Sequence, residues 1–244
     1  MRSTRRGLVT WCVVALVTSS GVAASAAGAP PRSIVAASPN RILAASMAAA
    51  RGQHSVHATE VEHIGRQVVV QRDDSNERSG LQQLVLSTGA TVDIRLFPTV
   101  LYLKANAKGI RLVFHVRDDK VVNRWVMVRR SNGAYKTLAA GIDFPSLLAQ
   151  MPPSGRLAKS KVTVVGRHRV IAISGRPNQV AQHVDGTESF DVSTKAPFLP
   201  PRISGHLTSN RRSATLVITF SLWGRNFVIQ PPHRAIPISK TSLL

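Results

Sequence analysis

Catalysis would have to begin with acidic residues, and this chain has few: 12 Asp and Glu among 244 residues. Two adjacent pairs stand out, Asp73-Asp74 and Asp118-Asp119. General acid–base work needs two carboxyls converging on one substrate, whereas neighbours on a strand point to opposite faces. Asp73-Asp74 reads as a turn, and both pairs are expected to be solvated loop charge. Of the 8 histidines, His54, His57 and His63 lie closest together in sequence. On one strand His57 and His63 share a face but stand roughly 20 Å apart, and His54 faces the other way. Ligand bonds of ~2 Å cannot gather them around one ion, so no metal is expected. His115, His168, His183, His206 and His233 sit among basic or loop residues and are expected at the surface. The sequence contains no Gly-x-Ser-x-Gly elbow, Walker loop, His-Glu-x-x-His helix or paired cysteine ligands. Neither an enzymatic activity nor a cofactor is expected.

What remains is apolar sequestration. Aliphatic side chains alternate with other residues at Val68 and Val70, at Val92, Ile94 and Leu96, at Leu101 and Leu103, and at Leu216, Ile218 and Phe220. Alternation puts each set on one face of a sheet. A filled core and a cavity wall share this pattern, since small barrels are filled by side chains and larger ones enclose a ligand. These ten residues are the candidate cavity wall. Aromatics are scarce, at 5% of residues, which suits a wall for flexible acyl chains and argues against stacking on nucleic-acid single strands. Three basic clusters, Arg129-Arg130, Arg167-His168-Arg169 and Arg211-Arg212, fall at expected strand ends and turns. Contact with an anionic headgroup or surface is assigned to Arg129, Arg130, Arg167 and Arg169, with the pair following Trp125 favoured.

The elements that would position these residues are mostly strands. Period two is clearest over Ala90 to Phe97 and Thr215 to Leu222. Further strands are expected at Ser55–Glu62, Arg66–Arg72, Leu81–Ser87, Thr99–Ala105, Trp125–Arg129, Lys161–Val165, Arg169–Ser174, Ser189–Ser193 and Ile203–Thr208. Gly65, Asp73-Asp74, Gly80, Thr88-Gly89, Gly166, Gly175 and Asn210 punctuate them as turns. Such a series suggests an antiparallel sheet, a sandwich or a barrel. Ser38-Pro39 can cap a helix carrying Ile42, Leu43, Met47 and Ala50, stopped at Gly52. A second helical segment spans Ala134 to Gln150, broken at Phe144-Pro145. Asn106 to Asn123 is strand-like by its β-branched content and helix-compatible by its spacing.

The N-terminus reads as an export signal. Arg2, Arg5 and Arg6 precede an apolar stretch from Leu8 to Val22, followed by small residues ending at Ala26 or Ala29. Thr18, Ser19 and Ser20 interrupt it before the roughly 20 apolar residues of a membrane span are reached. The single cysteine, Cys12, lies inside this stretch and too early to be acylated after cleavage, so the mature chain is expected to be neither disulfide-bonded nor a lipoprotein. Without residues 1–26 the formal charge falls from +20 to +17, which favours anionic partners such as a membrane surface or cell-wall polymer. Export argues against nucleic acid.

Five segments in order carry a family resemblance: Gly52-Gln53-His54-Ser55-Val56-His57-Ala58-Thr59 after a helix; Thr99-Val100-Leu101-Tyr102-Leu103-Lys104-Ala105; Arg124-Trp125-Val126-Met127-Val128; Asp191-Val192-Ser193-Thr194-Lys195-Ala196-Pro197; and Thr215-Leu216-Val217-Ile218-Thr219-Phe220. From about Pro39 to Pro232 the chain resembles the LppX/LprG family of actinobacterial envelope proteins, similar in fold to the periplasmic carrier LolA. The resemblance implies an α+β fold, a strongly curved antiparallel half-barrel wrapped around a few helices, with an apolar cavity for lipid acyl chains. It also implies a helical Asn106 to Asn123. Relatives are commonly acylated, and this chain departs from them at that point.

The resulting division is a signal peptide over 1–26, a Pro/Ala/Ser linker over 27–38, the half-barrel domain over 39–232 and a tail over 233–244. The expected function is binding of a lipid or other amphiphile in the cell envelope. A filled-core docking or sensor module of the same fold, and a surface-adhesion protein acting through charge alone, are the alternatives.

Overall fold

The computed structural model describes residues 34–116, 118–178, 185–209, 212–241 and 243. The export segment, most of the linker, His183, Asn210 and Arg211 lie outside these residues.

The chain opens with α1 (Pro39–Arg51), which buries Ile42, Leu43, Met47 and Ala50 on one face. Ser38 occupies the N-cap position but makes no side-chain cap bond, and Pro39 supplies the fixed φ that starts the helix. Five strands follow: β1 (Ser55–Ile64), β2 (Gln67–Asn76), β3 (Gly80–Leu86), β4 (Thr91–Phe97) and β5 (Val100–Ala105). Next come α2 (Ala107–Phe114), β6 (Val126–Arg129), α3 (Gly133–Ala139) and α4 (Phe144–Gln150). Asn106, Asn132 and Asp143 cap the three helices by accepting backbone N–H bonds at 2.8, 2.9 and 2.8 Å. The second half contains β7 (Ser154–Lys159), β8 (Thr163–Val165), β9 (His168–Arg176), β10 (Asp185–Ser193), β11 (Arg202–Ser209), β12 (Arg212–Ser221) and β13 (Ile236–Pro237).

All thirteen strands form one open, curved sheet in the order β13-β6-β5-β4-β3-β2-β1-β12-β11-β10-β9-β7, with β8 paired to β9. Pairing is antiparallel except between β13 and β6. The α+β half-barrel expected from the resemblance is the observed architecture.

Its inner face carries two main cores. In one, α2, α3 and Val121 pack with Ile238 and Leu243 on β3 to β6. In the other, α1 and α4 pack on β9 to β12 through Phe144, Leu148, Ile173, Phe190 and Phe220. A small third group, Leu207, Ala214 and Leu216, lies at the far end of β11 and β12.

Several expectations are corrected. Asp73-Asp74 is no turn: β2 runs through both residues, because β1 and β3 pair with it on either side. Gly80 and Gly175 likewise lie in strands. Among the described residues of Asn106 to Asn123, 107–114 are helical, since His115 takes a left-handed conformation (φ 58°) and ends the helix. β7 is not among the expected strands, because its polar sequence has no alternation. The segment after residue 232 is more than a tail: β13 joins β6, and Ile238 and Leu243 enter the core.

Candidate ligand-binding face

Antiparallel partners on one face of a sheet stand side by side, so inward side chains line up in rows across the strands. The central row runs Leu84, Gln71, Glu60, Ile218, Ile203 from β3 to β11. Its ends are closed, with Leu84 at 3% and Ile203 at 2% exposure. Its middle is not: Gln71, Glu60 and Ile218 are only half-buried. The row on one side, Gln82, Asp73, Ala58 and Phe220, is buried throughout. So is the row on the other, Leu86, Val69, Glu62 and Leu216. Between the two main cores, therefore, the inner face has a row of three partly exposed side chains, one on each of three neighbouring strands, which marks the candidate opening.

Five of the ten candidate wall residues, Val92, Ile94, Leu96, Leu101 and Leu103, lie together in the first core, each 3% exposed or less. Leu216 and Phe220 are buried in different clusters, and Ile218 packs between those two. Val68 and Val70 require a correction. They are half-buried residues on the other face of β2, and Val69 is the inward one, at 3% exposure. Three consecutive valines carry no alternation, so the face had to be set by the partners.

The opening is bordered by carboxyls. Glu60 and Glu62 share the inner face of β1, and Asp73 faces inward from β2 beside Ala58. Burial pushes Glu60 up to about 8, with repulsion from Asp73 and then Glu62 adding to it. Burial raises Glu62 to about 6. Asp73 is raised to about 7, chiefly by burial; the side-chain amides of Gln71 and Gln82 and the charge of His57 pull the other way, and Asp74 adds to the rise. One Asp73 oxygen, Oδ2, accepts from Gln71 Nε2 at 2.8 Å. The other, Oδ1, is buried without a hydrogen-bond partner, as is Glu188 Oε1. Glu188 lies in the same row as Glu62, across β12 and β11, and burial raises it to about 8. Of these four only Asp73 stands out in the sequence, where it reads as turn charge; Glu60, Glu62 and Glu188 do not. The available signal was parity: Glu60 and Glu62 fall in step with Val56 and Ala58.

The strand order, the inner helices and this face can be set against known structures. LprF from Mycobacterium bovis superposes with a TM-score of 0.55 at 15% identity, over 80% of this chain and 96% of that one. The fold is that of LprF. The Mycobacterium tuberculosis lipoprotein LppX gives a TM-score of 0.49 at 14% identity, covering 79% of this chain and 100% of that one. A DUF1329 family protein from Desulfovibrio piger gives 0.30 at 8% identity, covering 74% and 91%. No protein-family profile and no curated protein matches the chain.

Within this LprF-like fold the basic candidates do not form one patch. Arg129 ends β6, Arg130 follows it, and Arg167 and Arg169 flank the start of β9, with eight strands between β6 and β9 in the sheet order. All four are exposed. The histidines also remain separate. His57 Nδ1 pairs with Asp74 at 2.7 Å on the outer face, and His54 Nδ1 with Glu77 at 2.6 Å. His54 and Glu77 border a cleft of about 350 Å³ lined by Arg51, Phe144 and Leu148. Asp118 is buried, and its Oδ1 accepts from the Lys120 N–H at 3.0 Å, so it caps a turn rather than standing in solvent.

Proposed function

We propose that the chain is a non-enzymatic binding protein of the cell envelope that takes an amphiphile on the inner face of its half-barrel. The observation that carries this reading is the half-open middle of the central row, Gln71, Glu60 and Ile218, between two closed cores. An apolar wall with a few convergent polar groups is the usual composition of a small-molecule site. Ile218 would meet the aliphatic part of the ligand, and Gln71 and Glu60 its polar part. The family resemblance supports a lipid-like ligand, and residues 1–29 support export.

Ile218→Trp tests the reading. The large ring should fill the opening, leave stability within about 1 kcal/mol of wild type, and weaken binding of a decyl-chain probe at least tenfold. Organic extracts of protein purified from its own host should contain an amphiphile by mass spectrometry. If no probe binds and no amphiphile is extracted, the amphiphile reading fails. The closed state of both cores would then favour a docking module.

Exposed Arg129 and Arg130 are the proposed contacts with an anionic membrane surface or wall polymer, with Arg167 and Arg169 as a second such site. Export as a non-acylated protein belongs to the same proposal. N-terminal sequencing should find the mature chain beginning near Ala27 or Pro30, and Cys12→Ser should leave its distribution unchanged.

A further inference from the structure

The chain carries 32 Lys and Arg against 12 acids, yet three of those acids meet on the inner face; His57, whose charge acts on Asp73, is paired with Asp74 on the outer face. The ion pairs His54–Glu77, His57–Asp74 and Arg202–Asp191 do not include Glu60, Glu62 or Asp73. Burying carboxyls without a counter-charge costs free energy unless they are protonated or something else supplies the charge. Asp73 is 2% exposed, and its Oδ1 has no donor. Directly paired strands bring Glu60 opposite Gln71 and Ala58 opposite Asp73, so Glu60 and Asp73 are diagonal neighbours, at roughly 7–8 Å. Gln71 and Gln82 flank Asp73 from β2 and β3, and β12 offers the apolar Ala214, Leu216, Ile218 and Phe220 to this face. From α4, which packs toward β2, the buried side chains are Phe144 and Leu148. The inner-face frame is thus apolar or amide-lined around two acidic strands, with His57 and Asp74 acting on Asp73 from the outer face and Glu188 in the row of Glu62 on β10.

We propose that Glu60, Glu62 and Asp73 receive a positively charged headgroup, an ammonium borne on an aliphatic chain, whose tail lies against Ile218 and the neighbouring apolar rows. An ammonium has three donors and no acceptor. It can satisfy Asp73 Oδ1 and a Glu60 oxygen together while supplying the missing charge. A hydroxylated headgroup would bond these oxygens but leave any ionised carboxyl uncompensated. The overall charge of the protein repels cations at long range, so a preference for ammonium has to arise locally, at this cluster. Raised carboxyl affinities for protons add a second signature, because an ammonium must displace the protons that Glu60 and Asp73 otherwise hold near neutral pH. Binding should therefore release protons and tighten as pH rises from 5 to 8.5.

This inference rests on the amphiphile reading, and the experiment separates the two. Decylammonium, decyl glucoside and decanoate, each below its micellar concentration, are titrated calorimetrically into the protein at 0.15 M salt and pH 8. Decylammonium should bind at least tenfold more tightly than the other two, with proton release seen as a buffer-dependent heat. In Glu60→Gln/Asp73→Asn that advantage should vanish, the ammonium-to-glucoside affinity ratio falling at least tenfold. Wild type alone provides a check independent of the variant's folding: the ammonium-to-glucoside affinity ratio should fall at least tenfold on going to pH 5. Equal affinity of wild type and variant for decylammonium, or a pH-independent ratio, overturns the inference and leaves the amphiphile reading standing. Tightest binding of decyl glucoside, lost in the variant, overturns it in favour of a polyol headgroup. If none of the three probes binds, both readings fall.

Discussion

Glu60 and Ile218 are direct cross-strand partners on β1 and β12, both facing the inside of the sheet and both only half-buried. A carboxyl and an aliphatic side chain thus share one opening between two filled cores. Most of what can be measured on this protein follows from that pairing and from the closed rows on either side of it.

The first expectation concerns pH. Glu62, Asp73 and Glu60 are raised to about 6, 7 and 8. The folded state therefore holds protons that the unfolded chain releases near pH 4 to 5. Their contribution to stability is complete below the unfolded values and is lost as pH rises through 6 to 8. Urea unfolding should show stability falling by at least about 1 kcal/mol between pH 5 and pH 8.5. Glu60→Gln/Asp73→Asn should flatten that slope and exceed wild type in stability at pH 8.5. A wild type that gains stability over the same interval would contradict the buried placement of these acids.

Ile94 and Ile218 offer a matched pair. Ile94 is 3% exposed in a filled core, so Ile94→Ala should cost about 2–5 kcal/mol and Ile94→Trp about 1–3 kcal/mol. Ile218 borders the opening, and Ile218→Ala should cost less than about 2 kcal/mol because little cavity is created that was not already open. Denaturant unfolding of the ligand-free variants measures both. Equal costs at the two positions would mean that the face is filled throughout.

The face of β2 is tested by threonine, which keeps the shape of valine but brings a hydroxyl. Val69→Thr should cost about 1–3 kcal/mol, since the hydroxyl is buried. Val68→Thr and Val70→Thr should each stay within about 0.5 kcal/mol. The reverse order would restore the face expected from the sequence.

Gly80 lets β3 pass against the backbone of Ile142, which precedes α4. A Cβ at this position would collide with the Ile142 carbonyl, and Ser75 Oγ donates to the same carbonyl at 2.7 Å. Gly80→Ala should destabilise by about 1–3 kcal/mol through overpacking. Ser75→Ala should cost a similar amount by stripping the buried carbonyl of its donor, about 1–3 kcal/mol. Thermal melts of both variants check the attachment of α4 to the sheet.

Surface binding should be electrostatic. Charge reversal at Arg129 and Arg130 should weaken sedimentation with anionic vesicles more than reversal at Arg66 and Arg72. Binding should be lost at 1 M salt, where screening shortens to ~3 Å. Salt-resistant binding to neutral vesicles would point instead to an inserted apolar segment.

Strict alternation is a local property, and where it occurred the sequence by itself determined the element and its face. Val92, Ile94 and Leu96 on β4, Leu101 and Leu103 on β5, and the buried stripe of α1 needed no partner to be placed. The order of weak segments also led to the half-barrel. Tertiary structure decided the rest, wherever the deciding interaction lay far along the chain. Val68-Val69-Val70 has no alternation, so pairing with β1 and β3 chose Val69. Asp73-Asp74 has the composition of a turn, and the same two partners hold it extended. Ile236 and Pro237 count as a strand only because β6 lies beside them. Whether an inward side chain meets protein or open space depends on helices packed from elsewhere in the chain. That is why Ile94 and Ile218, identical in type and in alternation, end one in a closed core and the other beside an opening.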